Sequence, residues 1–215
     1  MNDLFTISMK TGGQWLVTSI SDANIFCRES FSSDHKDIED LINNFAKNRL
    51  YPNIESIDKL DKDLSLSIMK EMGELGLIGI DTPEKFGGTE LDKITSCIVT
   101  EGVSRGGSAS FSTTFGVQTG IGSLGIVFFG TTEQKKKYLP KMMTGETISA
   151  YGLTEPSSGS DALSAKTTAT LSEDGNYYLL NGEKQFISNG GWAEVYTILA
   201  QVDGDKFSGF IVDRE

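Results

Sequence analysis

Apolar residues in the first two thirds of the chain recur at intervals of three and four positions, the spacing of helices that bury one face. Pro52 separates two such runs, and a third helix is predicted from Leu91 to about Ser104. Thr131 and Gln134 have capping-box spacing and predict the start of a further helix. The first two runs consist of Ile38, Leu41, Ile42 and Phe45 and of Leu64, Ile68, Met72 and Leu75.

The segment from Phe111 to Phe129 is apolar and rich in Gly and Ser, which predicts a buried helix with close neighbours. Within it, Gly120, Gly122 and Gly125 spell G-x-G-x-x-G, the dinucleotide fingerprint, but that motif requires a preceding strand. Helical patterns flank the glycines on both sides. We therefore interpret them as points where helices or a ligand approach closely.

Beyond residue 147 the pattern becomes strand-like. Short runs rich in β-branched and aromatic residues are separated by turn residues, and Asn181-Gly182 is a strong hairpin signal. The fold class predicted is α+β, an all-α helical bundle followed by an antiparallel β-barrel or sandwich domain. The predicted strands cover residues 165–171, 177–180, 184–188, 195–202 and 207–213.

The pattern divides the chain into an N-terminal extension over residues 1–32, a helical domain over 33–146 and a β domain over 147–215. Five strands with no closing segment would leave an exposed sheet edge, which is unusual for a complete β domain. We therefore expect the β domain to be incomplete and the chain to be truncated.

The charge balance excludes one group of partners. Lys and Arg total 19 against 30 Asp and Glu, a formal net charge of −11. A surface this acidic repels the backbone of nucleic acids and the headgroups of anionic lipids. We expect no nucleic-acid partner.

Cys27 and Cys97 lie far from each other in sequence and far from the lone His35, so no metal site and no disulfide framework are expected. His35 sits at a predicted helix start and is expected to be solvated. Residues 1–20 lack a secretory pattern, and no run of about 18 apolar residues occurs. These features favour a cytoplasmic protein without a transmembrane segment.

Two polar segments carry the candidate chemistry. Residues 151–161 read YGLTEPSSGSD, and their hydroxyls and free N–H groups suit a planar heterocycle and an anionic group. Residues 181–190 read NGEKQFISNG; on a strand, Phe186 and Ser188 share one face and can contact one ligand. Taken singly, an ordinary polar loop and a core aromatic explain these segments better.

Taken together, the segments resemble the acyl-CoA dehydrogenase family, over roughly residues 33 to 215, and are most similar to its very-long-chain branch. Members of the family have a helical domain, a β domain and a second helical domain, and this chain matches the first and most of the second. The matching stretches are LGLIGI at 75–80, PEKFGG at 83–88, FGTTEQK at 129–135, YLP at 138–140, and residues 153–161 and 181–191.

The resemblance implies a FAD-dependent enzyme that dehydrogenates acyl-CoA thioesters between the α and β carbons in fatty-acid β-oxidation. Ser160 also matches a position that contacts the acyl-CoA thioester arm. Many members have Trp and Thr where this chain has Phe186 and Ser188, and both exchanges keep the type of chemistry. The residues that match FAD-binding positions are Tyr151, Leu153, Thr154, Ser160, Phe186, Ile187 and Ser188.

In the family the catalytic base is a Glu of the second helical domain, so the resemblance assigns no catalytic residue in this chain and implies that the chain alone is inactive. Glu155 matches a structural position. Electron transfer flavoprotein is the implied electron acceptor, and a homo-oligomer is implied at full length. Gly120 and Gly122 match a wall of the acyl-tail pocket, which favours a long-chain substrate, although helix packing explains these glycines equally well.

Two further functions stay open at this level. The absent base fits a non-catalytic remnant or fragment. The same two domains also occur in related flavoenzymes with other chemistry, such as acyl-CoA oxidases.

Overall fold

The structure is a computed structural model that describes residues 27–204 and 206–214. Most of the predicted N-terminal extension, residues 1–26, lies outside the described residues. The helices of the described part are α1 Ser33–Phe45, α2 Ile54–Asp58, α3 Lys62–Glu74, α4 Lys93–Arg105, α5 Ala109–Thr119, α6 Leu124–Phe129 and α7 Thr132–Met143. The strands are β1 Ser149–Gly152, β2 Thr168–Leu171, β3 Tyr178–Asn181, β4 Val195–Val202 and β5 Lys206–Asp213.

Polar side chains fix the helix starts. The predicted capping box of Thr131 and Gln134 is formed at α7. A second capping box opens α1, where the N–H of His35 donates to Ser32 Oγ and the N–H of Ser32 donates to His35 Nδ1. Each box satisfies two backbone donors that a helix start leaves without partners.

His35 is buried, so the expectation that it is solvated is wrong. Its side chain closes the α1 box through Nδ1, while Nε2 lies 2.9 Å from Asp92 Oδ2. Asp92 itself caps α4 by accepting from Thr95 N. One imidazole therefore joins two helix starts that are 57 positions apart in sequence.

The predicted helix between Phe111 and Phe129 is divided into α5 and α6, with a turn between them. Gly122 in this turn is buried, and a Cβ built on it would overlap the Ser149 hydroxyl of β1. The glycine allows the turn to lie directly against the sheet.

One apolar cluster runs from the helices into the sheet. Met72 of α3 and Met142 of α7 are fully buried at its centre, and the cluster continues through Ile148 and Ala150 to Ala193. Each large side chain of this kind stabilises the fold by about 1.5–3 kcal/mol through burial. The helical part and the sheet therefore share a core.

The sheet is organised around β4, which pairs along its whole length with the antiparallel strand β5. The other edge of β4 carries β1 and then β2, both parallel to it, and β3 pairs antiparallel with β2. The predicted order of a helical domain followed by a sheet domain is confirmed, but the sheet is mixed and not purely antiparallel. The sheet is mixed because β1, which was not predicted as a strand, pairs parallel with β4. Strand β2 also runs parallel to β4, because a long connection returns the chain between them.

The strand predicted over residues 184–188 is wrong, and so is the hairpin at Asn181-Gly182. Residues 182–188 have an irregular backbone. The hairpin of this region is formed by β2 and β3, and its turn contains Asp174-Gly175. The Asp174 side chain accepts from Asn176 N at 3.2 Å, and Gly175 takes a positive φ of 72°.

Two buried amides complete the hydrogen bonds where helices meet the sheet. Gln118 Nε2 donates to Met142 O and Thr147 O at 2.8 and 2.9 Å, and its Oε1 accepts from both the N–H and the hydroxyl of Ser149. Asn189 Nδ2 donates to Ser149 O at 3.0 Å. An amide in this position replaces the water that these backbone groups lose.

Two glycines separate the effect of packing from the effect of helix propensity. Gly116 lies within α5, and a Cβ built on it meets no atom within 4 Å. We expect Gly116→Ala to raise the free energy of unfolding by about 0.5–1 kcal/mol. Gly122→Ala should lower it by about 1–3 kcal/mol, because the added carbon overlaps Ser149 and lies 2.8 Å from Val117 O. Urea unfolding of both variants measures the difference, and equal effects would contradict the packing of the turn against β1.

Candidate functional site

A buried ion pair holds the two candidate segments side by side. Lys184 Nζ lies 2.7 Å from Glu155 Oε1 and 3.1 Å from Leu153 O. Only 11% of the Lys184 side chain and 4% of the Glu155 side chain are exposed. The backbone adds a further contact, because Gln185 N donates to Thr154 O at 2.9 Å. The loop after β1 and the irregular segment before Ser188 therefore form one surface.

The Glu155 carboxylate is stabilised in its ionised form. Burial alone would raise its pKa, but the ammonium of Lys184 and the backbone N–H groups of Lys166 and Thr167, at 2.5 and 2.9 Å, outweigh burial. The resulting pKa is about 2. A carboxylate with this many donors is an anchor for the loop and does not act as a proton acceptor near neutral pH.

Three hydroxyls on this surface remain available. The side chains of Thr154, Ser160 and Ser188 make no hydrogen bond within the described part of the chain. Thr154 is half-buried, and the other two are exposed. The surface thus offers uncommitted hydroxyl groups beside the ion pair.

Phe186 is held in an unusual conformation. Its φ is 58°, in the left-handed region, and 84% of the residue is exposed. A left-handed aromatic residue costs about 1–2 kcal/mol relative to ordinary backbone, and the exposed ring gains little from burial. Such outliers persist where neighbouring contacts enforce them, and they cluster at binding sites.

The other residues predicted to contact the cofactor are half-buried. Tyr151 is in β1 and in register with Thr197 of β4. Burial raises the pKa of the Tyr151 hydroxyl. Leu153 and Ile187 are half-buried, and Ile187 packs against the core cluster.

Two adjoining cavities lie between α5 and the turn that follows Ser188, and only the outer one reaches this residue. The outer chamber has a volume of about 370 Å³ and the inner chamber about 260 Å³. The outer chamber is lined by Leu60, Ala109, Ser110, Thr113, Thr114, Ser188, Asn189 and Trp192. The inner chamber is lined by Ile57, Leu60, Lys62, Ser65, Ser110, Phe111, Thr114, Gly191 and Trp192.

Comparison with known proteins assigns both parts of the chain. Residues 32–146 match the N-terminal domain of acyl-CoA dehydrogenases, and residues 150–215 match their middle domain. The chain belongs to the acyl-CoA dehydrogenase family.

The similarity extends to particular relatives. A probable acyl-CoA dehydrogenase of Bacillus subtilis is 49% identical over 207 residues, which is 96% of this chain and 34% of that protein. The human mitochondrial very long-chain specific acyl-CoA dehydrogenase is 38% identical, over 74% of this chain and 26% of its own length. A crystal structure of a Bacillus anthracis acyl-CoA dehydrogenase complexed with FAD superimposes with a TM-score of 0.89 at 50% identity, covering 94% of this chain and 34% of that one.

The chain thus spans about a third of the length of such relatives. The residues at the surface described above fit a flavin. A flavin ring is planar and carries nitrogen and oxygen atoms around its edge. Exposed Phe186 offers a flat apolar face, and the free hydroxyls of Thr154 and Ser188 offer donors of the matching kind.

The structure does not place the predicted acyl-tail glycines at the cavities. Gly120 and Gly122 line neither chamber, and the contact of Gly122 with Ser149 supports packing as its role. The chamber wall comes from the first half of α5 instead, with Ala109, Ser110, Thr113 and Thr114. The spacing of Ala109 and Thr113, two small residues four positions apart, was the signal in the sequence for this face.

Leu60 and Trp192 were also missed by sequence analysis. Trp192 lies in the turn before β4, and Leu60 lies in the turn between α2 and α3. Both line both chambers. Because the two turns are far apart along the chain, only the fold brings these residues together.

Within the described residues, no helix is long and apolar enough to cross a membrane. The same residues contain no group of three or more His, Cys, Asp or Glu side chains arranged to hold a metal ion. Cys27 and Cys97 are free and exposed.

The ion pair of Glu155 and Lys184 should make the free energy of unfolding depend on pH. The pKa of Glu155 lies below its ordinary value of 4.5, so the pair contributes stability above pH 4.5 that is lost as the pH falls towards 2. The wild-type free energy of unfolding should therefore fall by roughly 3 kcal/mol more over this range than that of Glu155→Gln.

At neutral pH, Glu155→Gln should also be destabilised by about 3–5 kcal/mol, because the Lys184 ammonium stays buried without its partner. Glu146→Gln is the matched control, since Glu146 pairs with Lys141 at the surface and its loss should cost less than about 1 kcal/mol. Parallel pH profiles for wild type and Glu155→Gln in denaturant unfolding would contradict the assignment.

Proposed function

We propose that this chain is the flavin-binding part of a FAD-dependent acyl-CoA dehydrogenase. The observation that carries the proposal is the pairing of Glu155 with Lys184, which sets uncommitted hydroxyls and an exposed aromatic ring beside an apolar cavity. This combination suits a planar cofactor on one side and an alkyl substrate on the other. Family membership supports the same function.

Each site residue has a proposed role. Thr154 and Ser188 donate hydrogen bonds to the edge of the flavin ring, and Phe186 packs on the ring. Leu153 and Ile187 also contact the flavin. Tyr151 lines the same site from β1, and Ser160 contacts both the cofactor and the thioester arm of acyl-CoA.

When bound, FAD would accept a hydride from the β-carbon of the acyl thioester. The residues of this chain bind and orient the two partners, and the apolar chamber walls keep water away from the alkyl tail. Removal of the α-proton requires a base that we place outside this chain. Glu155 is unsuited to that role, because its carboxylate is ionised, buried and held by Lys184.

We propose a long-chain acyl-CoA as substrate. The support comes from the two chambers, whose shared wall is formed by Leu60, Ser110, Thr114 and Trp192. Burying each methylene of a tail there is worth about 0.8 kcal/mol. In this proposal the glycines Gly120 and Gly122 shape the helix turn beside the tail and do not contact it.

The remaining proposals follow from family membership. The electron acceptor is electron transfer flavoprotein, and the complete protein forms a homo-oligomer. The helical domain covers residues 33–146 and the β domain 147–215. The free cysteines fit a reducing, cytoplasmic location.

We expect Thr154→Ala and Ser188→Ala each to weaken FAD binding by about fivefold or more, since each removes one hydrogen bond worth about 1 kcal/mol. Phe186→Ala should weaken it further through lost stacking. Quenching of flavin fluorescence measures binding, in the chain and in a version that continues through the second helical domain of the family.

Ser157→Ala serves as the control, because Ser157 is an exposed serine of the same loop that has no proposed contact. Wild-type FAD affinity in Thr154→Ala and Ser188→Ala would overturn the proposed site. In the longer version, oxygen consumption during turnover of palmitoyl-CoA would favour an acyl-CoA oxidase over a dehydrogenase. Absence of flavin from every version would favour a non-catalytic role.

A further inference from the structure

Ser188 is presented by a tight turn. Gly190 N donates to Ile187 O at 3.0 Å, which closes a four-residue turn with Ser188 and Asn189 at its centre. Asn189 has a φ of 63°, the left-handed conformation that Asn and Gly adopt as the third residue of such a turn. A Cβ built on Gly190 would lie 2.8 Å from Ile187 O, so the turn closes this tightly because position 190 is a glycine. The direction in which Ser188 points therefore depends on where Gly190 lies.

The carbonyl of Gly190 is held by two side chains that come from the sheet. Tyr196 of β4 donates its hydroxyl to Gly190 O at 2.8 Å, and Arg214, directly after β5, donates from Nη2 to the same oxygen at 3.2 Å. Arg214 Nη1 also donates to the next carbonyl, that of Gly191, at 3.0 Å. The planar fork of a guanidinium suits two neighbouring acceptors, so this contact fixes the orientation of two successive peptide groups.

Both side chains start from fixed backbone. Tyr196 lies within β4, where it pairs with both β1 and β5, and its ring packs against the core cluster. The Arg214 guanidinium lies over the Tyr196 ring, 5.8 Å from its centroid, a cation–π contact. Arg214 N donates to Glu194 O at 2.8 Å, and the Glu194 carboxylate accepts from Ile148 N, just before β1, at 2.8 Å. The two side chains thus form one support that connects the turn to the sheet.

The outer half of the turn has no other side-chain support. Asn189 anchors the inner half, since its side chain donates to Thr114 O and Ser149 O. The carbonyls of Gly190 and Gly191 accept only from Tyr196 and Arg214 within the described part of the chain. A Cβ built on Gly191 meets no atom within 4 Å, so packing does not fix this end of the turn. Its orientation is therefore left to these three hydrogen bonds.

We infer that Tyr196 and Arg214 are positioning residues for the flavin: by holding the Gly190 carbonyl, they set the direction in which Ser188 presents its hydroxyl. The inference rests on the proposed function, which assigns Ser188 a hydrogen bond to the edge of the flavin ring. Tyr196 and Arg214 act through the turn and do not themselves contact the cofactor. A hydrogen bond weakens steeply when its angle is poor, so a small rotation of the turn weakens the contact between Ser188 and the flavin.

Three substitutions test the support directly. Tyr196→Phe removes one oxygen and keeps the ring, and Arg214→Met removes both guanidinium contacts. Each should weaken FAD binding by about threefold, somewhat less than loss of the Ser188 hydrogen bond itself. Arg214→Lys keeps the charge but not the fork, so it should weaken binding as Arg214→Met does. Quenching of flavin fluorescence measures the affinity, in the chain and in a version continued through the second helical domain of the family.

A double-mutant cycle separates positioning from a general loss of structure. In the Ser188→Ala background, Tyr196→Phe and Arg214→Met should change FAD affinity by less than about 1.5-fold, because the hydroxyl that they orient is absent. As single substitutions, they should also move the visible absorption of bound FAD towards the spectrum that Ser188→Ala gives. Lys137→Met is the matched control, since Lys137 pairs with Asp213 beside Arg214 and holds no carbonyl of the turn. It should change neither the affinity nor the spectrum.

The outcomes separate the inference from the function on which it rests. Wild-type affinity in Tyr196→Phe and Arg214→Met, or losses that persist in full in the Ser188→Ala background, would overturn the inference alone. Full FAD binding by Arg214→Lys would show that the charge matters and the fork does not, which contradicts the role given to Arg214. If Arg214→Met does not fold, the same cycle with Tyr196→Phe decides.

Two other results reach further. Failure of the wild-type protein to bind FAD in both versions would overturn the proposed function together with the inference. Wild-type FAD affinity in Ser188→Ala would do the same, because it would remove the contact that Tyr196 and Arg214 are inferred to orient.

Discussion

The fold depends on the requirement that buried backbone groups keep hydrogen-bond partners where helices meet a sheet. Gln118 meets this requirement at the end of α5 by bonding to the end of α7, the loop after it and the start of β1. Asn189 does the same from the far side of Ser149. Without these amides, the junction would bury several donors and acceptors at about 1–3 kcal/mol each. The junction also borders the cavities, because Asn189 and Thr114, which are hydrogen-bonded to each other, both line the outer chamber.

A second buried polar contact, between Glu155 and Lys184, serves the site more than the stability of the fold. A buried ion pair often contributes little beyond what apolar residues would, because desolvation offsets attraction. Here the pair determines where two irregular segments lie, and the carboxylate also accepts from the backbone of Lys166 and Thr167. The hydroxyls of the site are left free because the ion pair, and not the hydroxyls, holds the loop.

Two residues with left-handed backbone lie next to the candidate site. Phe186 and Leu60 both have large exposed apolar side chains, and they lie at the proposed flavin surface and at the cavities, whereas Glu90 and Asp203, with the same backbone, line neither. A sequence optimised for stability alone would place Gly or Asn at such positions. Their location beside the apolar chambers accords with binding as the reason for the exception.

The sequence by itself determined the features that depend on neighbouring residues. Helical spacing identified α1, α3, α4 and α7, the Thr131 capping box was readable from two residues, and the family followed from the segments at 153–161 and 181–191. Each of these follows from interactions within a few positions along the chain, or from a motif long enough to be specific.

Only the tertiary structure decided what depends on distant residues. The segment at 184–188 has the composition of a strand, but its contacts with Glu155 and Thr154 keep its backbone irregular. His35 is buried because Asp92, 57 positions away, comes to its ring. Leu60 and Trp192 line the same two cavities, although they are 132 positions apart along the chain. Local patterns carry no information about such encounters, because packing of the whole chain selects among the conformations that each segment permits.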